Sequence, residues 1–125
     1  TALADAGYRT HAVGKIHLQP FSATASDDEP ISSWESRALC DSGRITSLPL
    51  PYYGFQTVDF VGGHVHYNFG DYANWLRVHH PGVHELYARA RAYYAAGQSW
   101  KMEVPPELHY NYWIADRTIA FLRSV

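Results

Sequence analysis

Cysteine is nearly absent: Cys40 stands alone among 125 residues, so no disulfide can form within the chain and no cysteine pair can hold a metal. A single thiol agrees with a reducing compartment without requiring one. Charged residues are also scarce, at 18%, and sum to a formal −2. That balance provides neither a basic field for nucleic acid nor an acidic tail, so no polyanionic partner is read. No apolar run approaches the ~18 residues of a membrane span, and no charged region leads into an apolar one as in a signal peptide. No membrane partner follows, and localisation and oligomeric state stay open.

What is present is the material of a core. The chain is 46% hydrophobic and 15% aromatic, enough at this length for one ordinary domain over residues 1–125. It opens on TALADAGYRT, which reads like the second half of a helix, and stops within the helical pattern WIADRTIAFLRSV. Both ends read as cut from a longer protein.

The pattern places a helix over Thr1–Ala6, closed by Gly7, whose tolerance of positive φ suits a helix terminus. From Thr10 to Leu18 the period changes to two, with Ala12, Gly14, Ile16 and Leu18 on one face and Val13, Lys15 and His17 on the other. A long polar excursion over 19–51 follows, with a short helix near Ser33–Leu39, of the kind that loops over an active-site face. Phe55–Gly63 reads as a second strand and Asp71 as the N-cap of a short helix that breaks at Pro81-Gly82. A further helix or surface hairpin ends at Gly97, and Asn111 is placed to cap a last helix with Ile114, Thr118, Phe121, Leu122 and Val125 along one face. Strands alternating with helices make the class α/β.

Lys15 and His17, two residues apart on one strand, would have roots roughly 6.5–7 Å apart and project together. A Lys supplies a point charge and three donors, and a His a donor or a proton, which is what the oxygens of a phosphate or sulfate ester require. Gly14 beside them would allow a ligand or a neighbouring backbone to approach closely. The same two side chains also suit a solvated sheet edge. His64 and His66, and the group His79, His80 and His84, invite a zinc reading, but no Cys pair or His-Glu-x-x-His helix organises them. His109 reads as a helix-entry residue, and the tryptophans Trp34, Trp75, Trp100 and Trp113 as packing.

The segment LADAGYRTHAVGKIHL resembles the sulfatase family's helix–strand segment, in which L-x-x-x-G-Y-x-T runs into G-K-x-H-L. The likeness continues more weakly through YYGFQTVDFVGGH, GDYANWLRVHHP and LHYNYWIADRTIAFL. In that family, part of the alkaline phosphatase superfamily, the Lys and His of this motif contact the sulfate group or the ester oxygen. The resemblance therefore implies catalytic and substrate-binding roles for Lys15 and His17 in a sulfuric ester hydrolase acting on a small-molecule sulfate ester. It implies a fragment of an alkaline-phosphatase-like sandwich, with a mainly parallel sheet flanked by helices.

It also implies a formylglycine nucleophile, made from Cys or Ser in Cys-x-Pro-x-Arg, and calcium held by Asp and Asn. Those elements fall before and after the matched segment, so no residue here is assigned as a metal ligand. The chain by itself is expected to be inactive. CDSGR, Cys40 to Arg44, imitates the nucleophile motif, but Ser42 stands where Pro is required and the segment follows the Lys–His motif instead of preceding it. A phosphodiesterase or phosphonate monoester hydrolase of the same superfamily would use the same pair, and a catalytically dead relative would keep it for binding alone.

Overall fold

The computed structural model of the protein describes residues 1–24, 26, 28–64, 67–93 and 102–125. The expected stop at Gly97, and His66 and Trp100, lie outside them. The chain is α/β, with a small mixed sheet of three strands in the order β1-β2-β3: β1 His11–Lys15, β2 Thr57–His64 and β3 Tyr67–Phe69. β1 and β2 run parallel from His11↔Thr57 to Lys15↔Val61, and β2 and β3 antiparallel from Gly62↔Phe69 to His64↔Tyr67. Among the described residues five α-helices accompany the strands: α1 Ala2–Asp5, α2 Arg37–Asp41, α3 Asp71–His79, α4 Pro81–Tyr93 and α5 Tyr110–Leu122. No helix among the described residues is long and apolar enough to cross a membrane.

α1 stops where the glycine dictates. Gly7 takes φ +87°, its N–H donates to the Ala4 carbonyl, and the Tyr8 N–H reaches back to Leu3, the paired bonds of a Schellman terminus. β1 is shorter than the alternation suggests, ending at Lys15 instead of Leu18. Gly14 takes φ +105°, which only glycine adopts cheaply, and a Cβ there would lie 3.3 Å from Ile114 Cδ1 of α5. The close neighbour at Gly14 is thus a helix side chain, and the pleat that would place Lys15 and His17 on one face is interrupted just before Lys15.

β2 divides the interior. Phe60 joins Leu39, Cys40, Ile45, Leu48, Tyr52 and Phe69 on one side, while Val61 joins Tyr72, Leu76, Tyr87, Val104 and Trp113 on the other. Within the 19–51 segment, Leu39, Cys40, Ile45 and Leu48 are buried and form much of the first core. Its short helix is Arg37–Asp41, and the Ser36 side chain caps it by accepting the Leu39 N–H at 3.3 Å.

Two other caps differ from the expected ones. Gly70, not Asp71, is the N-cap of α3, and the Asp71 carboxylate accepts the Phe60 N–H of β2 at 2.7 Å, next to the point where β3 begins to pair. His109, not Asn111, caps α5 through Nδ1, which accepts the Asn111 N–H at 3.3 Å. On α5, Trp113 is the buried anchor and Ile114 and Phe121 are half-buried, whereas Leu122 is exposed at 61% and Val125, beyond the end of the helix, at 65%.

Candidate active site at the carboxyl end of β1

Parallel strands direct their carboxyl ends to one side of the sheet, which is where open α/β sheets receive ligands. Lys15 is the last residue of β1, is exposed, and its side chain makes no hydrogen bond or ion pair among the described residues. His17 lies two residues beyond, also exposed, and lines an open pocket of about 560 Å³ whose wall is the run from His17 to Ser22. Lys15 stands next to that wall in the chain without being part of it. The His17 ring stacks on Phe21, with centroids 3.9 Å apart and planes at 16°, and Phe21 meets Phe69 edge-on at 5.0 Å. His17 is therefore tied to the first core through two rings.

The backbone beneath the pocket is fixed from a source the sequence does not advertise. Glu35 is fully buried, and both its carboxylate oxygens accept the Leu18 N–H, at 3.0 and 2.9 Å. The Tyr52 hydroxyl donates to Glu35 Oε1 at 2.7 Å, and burial, followed by that bond, raises the Tyr52 pKa. Gln19 Oε1 accepts the Trp34 N–H at 2.6 Å, Ser33 Oγ donates to the Pro20 carbonyl at 2.9 Å, and the Arg37 N–H donates to the Phe21 carbonyl at 3.0 Å. Residues 33–37 thus grip residues 18–21 bond by bond, in the manner expected of buried polar groups that must be satisfied.

The other sequence candidates separate from this site. Cys40 is buried in α2, and burial pushes its thiol up to about 11, so it carries no thiolate near neutral pH. His64 ends β2 and meets Tyr67 edge-on at 5.6 Å, whereas His79 and His80 lie against Trp75 at 6.0 and 5.1 Å. Burial, and then Arg77, lower the pKa of His84, and burial lowers that of His109. Among the described residues no three His, Cys, Asp or Glu side chains gather to hold a metal.

Comparison with protein-family models, with curated proteins and with solved structures returned no match.

Proposed function

We propose that the chain contributes the oxyanion-binding strand end of a sulfatase-type ester hydrolase, built on a larger alkaline-phosphatase-like α/β sandwich. The observation that carries this reading is the placement of Lys15 and His17: both exposed, at the carboxyl end of a parallel strand, with the turn that follows held by a buried carboxylate. The unpaired Lys15 ammonium neutralises charge on a non-bridging or leaving oxygen of the bound ester. His17, set on Phe21, hydrogen-bonds the same group or delivers a proton to the leaving oxygen. A phosphate diester or phosphonate ester would engage the same two groups, since each presents a tetrahedral oxyanion.

The test is a titration of the purified chain with inorganic sulfate, followed through the His17 ring signals by NMR. A saturable shift that weakens about tenfold or more in Lys15→Ala is expected, since one charge-assisted contact is lost. A sulfate response of the same strength in Lys15→Ala would remove the reading. Turnover of an aryl sulfate by the chain alone should not exceed that of the Lys15→Ala/His17→Ala variant, because neither Lys15 nor His17 is a nucleophile for this reaction.

A further inference from the structure

The outer face of α5 carries an apolar stripe. Tyr112, Ile119 and Leu122 are exposed at 55%, 45% and 61%, and Ala115 between them is exposed as well. Steps of three, four and three residues align all four along the helix, turned away from the face that buries Trp113 in the second core. We infer that this stripe is an interface between two copies of the chain, which join antiparallel through α5.

A two-fold interface requires a patch that is complementary to itself, and this stripe meets that condition in size. Laid antiparallel on a copy of itself, it sets Tyr112 opposite the partner's Leu122 and Ala115 opposite the partner's Ile119. Each of these pairs occurs twice about the axis. The small Ala115 thus faces a branched side chain and leaves room for it, as interdigitating helices require.

Charge gives the second, independent observation and selects the direction. Asp116 and Arg123 border the same flank of the stripe, one after Ala115 and one after Leu122, and Arg123 keeps helical backbone angles at the C-cap. Both are exposed, and neither side chain has a hydrogen bond or ion pair among the described residues. Side chains lean toward the amino end of their own helix, so in antiparallel helices these two lean toward each other across the seam. The antiparallel pair therefore gains Asp116 with the partner's Arg123 twice. A parallel pair would instead set Asp116 against the partner's Asn111 and Arg123 against the partner's Thr118, and would form no ion pair. One helix face is smaller than the ~800 Å² that each partner of a standard interface buries, so the dimer is weak.

The experiment is sedimentation equilibrium of the whole chain from about 20 μM to about 2 mM, where a monomer–dimer equilibrium with Kd of about 0.1–1 mM is expected. Ile119→Asp, which puts a carboxylate into the seam from both copies, should weaken it at least about tenfold. Asp116→Lys and Arg123→Glu each set like charges across the seam and should weaken it about three- to tenfold. An equimolar mixture of these two variants should regain the parent's affinity. There the introduced lysine meets the introduced glutamate, and the native Asp116 and Arg123 meet as before, so rescue also shows that both variants fold. A chain that stays monomeric throughout, as it would if the stripe served a different partner, would overturn the inference. So would a dimer indifferent to Ile119→Asp, or a mixture no tighter than its two components.

Discussion

Glu35 and Leu18 are joined twice, each carboxylate oxygen lying within 3.0 Å of the one backbone nitrogen. The contact spans 17 residues and sets the turn that carries His17. Glu35→Ala would leave the Leu18 N–H and the Tyr52 hydroxyl without an acceptor, and should lower stability by about 2–4 kcal/mol. Glu35→Gln, which keeps one acceptor oxygen, should lose clearly less. Urea unfolding of the two variants checks this, and equal losses would mean that the charge, and not the acceptor count, holds the turn.

The grip on residues 18–21 was the part of the site hidden from the sequence, and the reason is compositional. Ser33, Glu35 and Ser36 lie in a polar stretch and belong to residue types that are mostly exposed, yet they are the most buried residues of that segment. Only the positions of their distant partners, Pro20, Leu18 and Ala23, make burial tolerable. Local signals, by contrast, were readable: Gly7 ends α1, the β-branched and aromatic run forms β2, and the apolar spacing forms α5. The end of β1 was not, because alternation assumes an unbroken pleat and Gly14 departs from it.

Gly14→Ala should therefore be costly, by about 1–3 kcal/mol, since the new Cβ would meet Ile114 while the backbone is held at positive φ. Adding Ile114→Val removes the Cδ1 atom at 3.3 Å and should recover only part of the loss, the remainder belonging to the backbone. Thermal unfolding of the single and double variants gives the split. Full recovery in the double variant would show that contact, not conformation, demands the glycine.

Alkaline pH should destabilise the protein from the onset of ordinary cysteine and tyrosine titration upward. Burial, first among the causes, raises the pKa of Tyr72 and Tyr87, whose hydroxyls are 2.9 Å apart, and pushes the Cys40 thiol from 9.0 up to about 11. In each case the folded chain favours the neutral form, so the folded pKa lies above the unfolded one. The stabilisation is complete below about pH 9 and is lost progressively as pH rises, through Cys40 up to about 11 and through the tyrosines above about 10. Urea unfolding across this range should show a falling stability whose slope flattens in Cys40→Ala between about pH 9 and 11; an unchanged slope there would assign the loss to the tyrosines alone.

Phe21 separates folding from the positioning of His17, because it touches both His17 and the core ring Phe69. Phe21→Leu keeps an apolar side chain under the pocket but gives up both ring pairs, and should cost about 1–2 kcal/mol. Phe69→Leu should destabilise the same core while leaving the His17–Phe21 stack in place. If stacking orients His17 toward a bound oxyanion, sulfate affinity should fall several-fold in Phe21→Leu and remain near that of the parent in Phe69→Leu. Equal sulfate affinity in the two variants would mean that the backbone bonds from residues 33–37 suffice to place His17, and that Phe21 serves packing alone.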